Sequence, residues 1–161
     1  MHGFLAWMYA SALGHFMRES GPWTYAIVNL AHILGISALF GAVLIIDLRL
    51  IGVWRRTPLD VLTHVAVPVA AGGLGLAVLS GIGILAANAT EYVGNPFFYL
   101  KFPAIAIGLV NAFFVSVSPA WRASGTRELT AIEHRQLALM GATSLTCWLT
   151  AIGAGRMIGY W

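Results

Sequence analysis

Four long apolar stretches constrain the fold of this chain more than any other feature. A helix needs about 20 apolar residues to cross the roughly 30 Å hydrocarbon core of a bilayer. Four stretches meet this length, at about 25–46, 61–87, 97–117 and 137–158. Only 9% of the 161 residues are charged, whereas soluble domains usually carry roughly a quarter. The sequence therefore predicts an all-α integral membrane protein with a single transmembrane domain over residues 1–161.

Turn signals between the stretches predict the connectivity. They are Thr57-Pro58, Gly94-Asn95-Pro96 and Ser118-Pro119. Pro68 and Pro103 fall inside stretches, where neighbouring helices satisfy the freed carbonyl, so we expect kinks there and not helix ends. The short connections predict an up-down-up-down four-helix bundle. Small residues would let its backbones approach closely; they are Gly35, Gly41, Gly72, Gly75, Gly81, Gly141 and Gly153.

Basic residues predict the orientation. Six of the nine flank the first and third connections, namely Arg49, Arg55, Arg56, Arg122, Arg127 and Arg135. Positively charged loops stay in the cytoplasm, so we expect both termini on the outer side.

The first twenty residues form a different kind of segment. Its apolar residues recur at helical spacing, but the run is too short to span a bilayer and ends in Arg18-Glu19. Residues 1–20 are therefore predicted to form an amphipathic helix lying along the outer interface. The segment lacks a basic flank and a small-residue cleavage site, so we expect it in the mature protein.

Two histidines near the cytoplasmic side suggest a cofactor. His64 on the second predicted helix and His134 on the fourth should lie at similar depth, on helices that face one interior. Two neutral imidazoles on facing helices are the ligands of a low-spin b haem, so both are candidate metal ligands. Alternatively, the two histidines are interfacial and pair with Asp60 or Glu133 beside them.

A second polar layer lies nearer the outer side. It contains Asn29 and His32 on the first helix, Lys101 on the third and Arg156 on the fourth. A polar group at membrane depth costs about 3 kcal/mol, which makes such residues candidates for function. His32 could be an axial ligand or a quinone hydrogen-bond partner, with Lys101 and Arg156 neutralising propionates or a quinone oxygen. Alternatively the layer is structural: the two cations reach the surface, and His32 bonds Asn29 or a neighbouring carbonyl.

Several motifs together resemble a known kind of protein. They are Leu13-Gly14, Arg18-Glu19-Ser20, Ala31-His32-Ile33-Leu34-Gly35, Leu39-Phe40-Gly41, Asp47-Leu48-Arg49-Leu50, Asn95-Pro96-Phe97-Phe98 and Gly155-Arg156-Met157-Ile158-Gly159-Tyr160. Over nearly its whole length the chain resembles an uncharacterised bacterial family of small four-span membrane proteins. More loosely, it is similar to copper-resistance-D-type and cytochrome b561-type bundles, in which helix-borne histidines bind haem or metal.

The resemblance implies a bundle in the bacterial inner (cytoplasmic) membrane, and it marks particular positions. These are His32, Asp47, Arg49, Asn95, Lys101, Asn111 and Arg156. The family pattern implied here has no histidines matching His64 and His134, which favours His32 with Lys101 and Arg156 as the common site.

Two functional hypotheses follow. The first is a membrane-embedded electron-transfer subunit that binds b-type haem, quinone or both. The second is a non-enzymatic scaffold or accessory subunit of a larger membrane complex, with structural polar layers. A metal or small-solute transporter is a weaker third hypothesis, because four spans without inverted repeats do not fit transporter architecture. Besides the lipid bilayer, a larger complex or a homo-oligomer is the expected partner. No basic patch indicates nucleic acid, and no nucleophile arrangement indicates an enzyme, so catalysis is left open.

Overall fold

The computed structural model describes residues 2–161, whose regular secondary structure is entirely helical, with no strand among them. Seven α-helices follow one another over this range: α1 His2–Tyr9, α2 Ala12–Glu19, α3 Pro22–Ile51, α4 Leu59–Asn88, α5 Pro96–Val117, α6 Pro119–Ala123 and α7 Ala131–Met157. Short 3-10 turns at Ala89–Tyr92 and Ile158–Tyr160 extend α4 and α7. The predicted all-α helical bundle is confirmed.

Helices α3, α4, α5 and α7 are long and apolar enough to cross a membrane. Their large apolar side chains are exposed along much of their length, among them Ile27, Leu79 and Phe113, whose exposed fractions are 64%, 73% and 62%. Such exposure would be costly in water but not in lipid. The structure is therefore compatible with a multi-pass membrane protein.

The observed helices extend beyond three of the four predicted stretches. Hydropathy marks only the apolar part of a helix, whereas the backbone hydrogen bonds continue through its polar ends. The start of α7, at Ala131, is set by a capping box in which Thr130 and Glu133 each bond the other's backbone amide. Pro68 and Pro103 lie inside continuous helices, so the prediction that neither ends its helix is confirmed.

The N-terminal segment contains two helices, whereas one was predicted over residues 1–20. Met1 lies outside the described residues. The helix is interrupted at Ser11. The Ser11 hydroxyl donates to the Met8 carbonyl at 2.6 Å and accepts from the Gly14 amide at 3.1 Å, so this residue ends α1 and caps α2. Leu5 and Met8 are buried, whereas Phe4 and Trp7 are exposed. An interfacial position for this segment stays a prediction.

The chain divides into two compact units. The first comprises the residues up to Leu39 together with Val69–Asn95, and the second comprises Phe40–Pro68 together with Pro96–Trp161. Helices α3 and α4 each contribute residues to both units.

Backbone-to-backbone packing of α3 on α4 holds the first unit together. A Cβ at Gly35 would lie 2.6 Å from the Ala77 nitrogen, and one at Gly73 would lie 2.5 Å from the Leu39 nitrogen. Only glycine permits this approach. The expectation for small residues was wrong at four other positions, where a Cβ would meet open space; these are Gly41, Gly72, Gly75 and Gly153.

In the second unit, α5 packs along α7, with the short α6 against both. Gly108 on α5 lies against Cys147 and Trp148 of α7. The side-chain amide nitrogen of Asn111 donates to the Met140 carbonyl of α7 at 3.0 Å. An apolar cluster closes the end of the unit near the loops; it contains Leu50, Leu59, Val115, Ala120 and Leu137.

Candidate functional site

His32 is held by the neighbouring helix of the first unit. Its Nδ1 lies 2.9 Å from the carbonyl oxygen of Ala77 and 3.1 Å from the Ser80 hydroxyl. The Ser80 hydroxyl itself donates to the Leu76 carbonyl, so it can accept from the imidazole. Gly81 makes room for the ring, because a Cβ there would lie 3.0 Å from the His32 Cε1. Three residues within about one turn of α4 thus orient one imidazole.

These contacts decide which nitrogen of His32 carries the proton. A backbone carbonyl can only accept, so Nδ1 must be the N–H donor. In the neutral ring, Nε2 then carries the lone pair. Histidines that bind metals or act as proton-accepting bases commonly donate their Nδ1–H to a carbonyl in this way. Asn29, one turn earlier, has an exposed side chain.

The two predicted outer cations belong to the second unit. The half-buried Lys101 lies against α7, since a Cβ at Gly155 would be 3.5 Å from its Nζ. Arg156 is exposed, with its guanidinium 4.6 Å above the centre of the Tyr160 ring and hydrogen-bonded to the Tyr160 hydroxyl. Tyr160 therefore fixes Arg156 at the C-terminal end of α7.

Both His64 and His134 have exposed side chains. Glu133 is engaged by the guanidinium of Arg127 at 2.6 and 2.9 Å, and this raises the pKa of Arg127 above its ordinary value. Within residues 2–161, no three His, Cys, Asp or Glu side chains cluster in a way that could hold a metal ion.

A cavity of about 540 Å³ opens beside the loops of the second unit. His134 lines it, and His64 does not. Its charged and titratable lining residues are Arg49, Arg55, Asp60, Arg127, Glu128 and His134. The structure thus places His134 in a polar, mixed-charge setting with Asp60.

A buried carboxyl in the second unit, that of Asp47, was marked by the resemblance but was not among the predicted cofactor or metal ligands. Asp47 is 3% exposed and is hydrogen-bonded by Ser144 of α7. Among the residues that the structure describes, its Oδ2 has no hydrogen-bond partner. Arg49 does not neutralise it, because its Nε and Nη2 donate to the carbonyls of Thr57 and Arg55 at 2.7 and 3.1 Å.

The sequence contains a signal for Asp47, since this acidic residue directly follows the first apolar stretch. The first stretch was predicted to end at about residue 46, which placed Asp47 just beyond it. The helix instead continues to Ile51, which leaves Asp47 against α7.

Residues 4–161 match the model of a family described as "Family of unknown function (DUF6644)". The chain belongs to this family. The match spans nearly the whole chain, as expected from the resemblance to an uncharacterised family. No curated protein and no solved structure matches it.

In this DUF6644 member, the positions marked by the resemblance occupy separate settings. His32 is bound to α4 in the first unit, and Asn95 is 2% exposed just before α5. Asp47, Arg49, Lys101, Asn111 and Arg156 belong to the second unit. His32 and Asp47 are the two whose local chemistry is most specific, one as an oriented base and the other as a buried acid.

Proposed function

We propose that this protein is a membrane-embedded electron-transfer subunit that binds a quinone or quinol at His32. The observation that supports the proposal is the hydrogen bond from Nδ1 to the Ala77 carbonyl. With Nδ1 protonated, Nε2 can accept a hydrogen bond, and then a proton, from a quinol hydroxyl. Oxidation to the quinone would send two electrons to a redox centre in a partner subunit of a larger membrane complex, and the second proton to water.

Asn29, which lies one turn before His32 on α3, would add a polar group near the bound cofactor. We further propose that the protein lies in the bacterial inner membrane with both termini outside, which places the His32 layer nearer the outer surface.

A low-spin b haem is the second candidate cofactor, and its fit can be tested on the donors present. It needs two axial ligands. The other described histidines of the first unit are exposed, and one of them, His15, is engaged by Glu19 at 3.2 Å, so His32 can supply a single ligand there. His64 and His134 could supply two, but both are exposed. The donor set therefore fits a quinone better than a haem; a haem would supply one-electron transfer if bound.

The quinone proposal is tested by extraction of the purified protein. Wild type, His32→Gln and His15→Gln would be purified in mild detergent, and their quinone content measured by solvent extraction and chromatography. We expect the wild type and the His15→Gln control to retain quinone, and His32→Gln to lose most of it. Equal quinone content in all three would contradict the proposal.

Alanine variants of the histidines, purified in the same way, distinguish a haem at His64 and His134 from a haem at His32. A dithionite-reduced spectrum of b-type haem that disappears in His64→Ala and His134→Ala, and persists in His32→Ala, would move the cofactor to the inner pair. Loss of the spectrum only in His32→Ala would place the haem at the outer layer.

A non-enzymatic scaffold is the alternative function, and a specific observation favours it. Polar side chains at membrane depth bond backbone carbonyls of neighbouring helices, as His32 and Asn111 do, and such bonds can serve packing alone. A colourless, quinone-free protein that cross-links to a larger membrane complex or to a second copy would support this role.

A further inference from the structure

The carboxyl of Asp47 lies in a setting that is unusual for a negative charge. It belongs to α3, one of the helices long and apolar enough to cross a membrane, and it is 3% exposed. The backbones of α3 and α7 pack directly against each other at this residue, since a Cβ at Gly141 would lie 3.0 Å from the backbone carbonyl oxygen of Asp47 and 2.9 Å from the Leu50 Cβ.

No cation compensates this carboxyl within the part of the chain that the structure describes. The ion pairs there are His15 with Glu19 and Arg127 with Glu133. On its own helix, the nearest cation is Arg49, whose guanidinium bonds loop carbonyls. On α7, the group facing Asp47 is the neutral Ser144 hydroxyl.

An ionised carboxylate can only accept hydrogen bonds, and inside a helical bundle few donors are available. The amides of α3 and α7 are used within their helices. A buried charge without partners neutralises when it can. Protonation removes the charge and turns one oxygen into a donor, which can pair with the carbonyl groups around it.

We infer that Asp47 is an intramembrane proton-binding site whose carboxyl carries a proton in the resting protein at neutral pH. The inference does not rest on the proposed quinone function, because it concerns a different unit and different atoms. It assigns to this chain a group that can exchange a proton near the arginine-rich end of the bundle, as protonatable carboxyls do in membrane proteins that move protons.

The chain offers a clean way to test this, because its only aspartates are Asp47 and Asp60. Asp60 is exposed, so Asp60→Asn should fold normally and leave Asp47 as the single aspartate. This variant would be produced with carboxyl-13C aspartate, reconstituted in lipid, and measured by infrared spectroscopy at pH 7. Unlabelled protein of the same variant provides the reference.

We expect the isotope-shifted carbonyl band of a protonated acid, and no labelled carboxylate bands. Labelled wild type should add the carboxylate bands of Asp60, which show that an ionised aspartate is detected. Asp47→Asn should lose the acid band. Labelled carboxylate bands in the Asp60→Asn variant at pH 7, without the acid band, would overturn the inference.

Discussion

Several polar residues of the long helices follow one rule, which is that their side-chain donors bond backbone carbonyls of other segments. His32 bonds Ala77, Asn111 bonds Met140, and the guanidinium of Arg49 bonds Thr57. A helical carbonyl has a second lone pair after its own helix bond, so it can serve such donors without loss. Asp47 is the exception because an ionised carboxylate has nothing to donate.

The rule also explains which parts of the site were predictable. The sequence marks His32 as a polar group at membrane depth, and one of the expected alternatives was a bond to a neighbouring carbonyl. It does not show that the carbonyl is that of Ala77, 45 residues away. Nor does it show that Asp47 lies against Gly141 and Ser144, because helix register depends on packing.

Gly73 gives a residue-scale prediction with a neighbouring control. A Cβ there would lie 2.5 Å from the Leu39 nitrogen, whereas at Gly72 it would meet nothing within 4 Å. Gly73→Ala should force α3 and α4 apart and lower the free energy of unfolding by about 1–3 kcal/mol. Gly72→Ala should be neutral or stabilise by up to roughly 1 kcal/mol, because alanine favours the helix. Denaturant titration in mixed micelles measures both; equal effects of the two variants would contradict the close crossing.

At the scale of elements, hydropathy located the four long helices but misjudged several ends. The third stretch, predicted at about 97–117, matches α5 because Pro96 starts it and Ser118-Pro119 ends it. The fourth was predicted from about 137, whereas α7 begins at Ala131. The missing signal was the Thr130-x-x-Glu133 capping box, which is polar and therefore invisible to hydropathy.

The capping box at the start of α7 predicts a local effect. Thr130→Ala removes the acceptor for the Glu133 amide, so it should lower the free energy of unfolding by about 1 kcal/mol. Hydrogen exchange should become faster at the first amides of α7 and stay unchanged elsewhere in that helix. Thr126→Ala, whose hydroxyl bonds only the Ala123 carbonyl among the described contacts, is the matched control. Equal exchange in the two variants would show that the box does not hold this end.

At the scale of the whole molecule, the number of spans follows from the sequence, but the division into two units does not. The N-terminal helices, the first part of α3 and the last part of α4 form one unit, and the remaining residues form the other. Hydropathy predicts where the helices lie in the sequence but not which helices pack against each other. That packing depends on side-chain shape and on glycines such as Gly35 and Gly73. Function was equally hidden, since membership of the DUF6644 family names no activity.

Membrane orientation is the prediction that involves the whole chain. Six of the nine basic residues lie in the loop after α3, in the segment between α5 and α7, or at the helix ends that adjoin them. Both connections should therefore stay in the cytoplasm, with the termini outside. A periplasm-active phosphatase fused after Trp161 should be active, and a fluorescent protein inserted after Arg56 should be fluorescent. Exchanging the two reporters between these positions provides the control. The phosphatase after Arg56 should be inactive, and the fluorescent protein after Trp161 should not fluoresce.

A variant that lacks several of these arginines tests whether their charges, and not helix packing alone, set the orientation. Replacing Arg55, Arg56, Arg122 and Arg127 by glutamine removes four of the six arginines that flank these connections. If those charges set the topology, the phosphatase signal at Trp161 should fall and a mixed orientation should appear. A fluorescent, phosphatase-inactive C-terminus in the unmodified chain would reverse the orientation. His32 would then lie nearer the cytoplasm and Asp47 nearer the outer surface, and a quinol bound at His32 would release its protons inward.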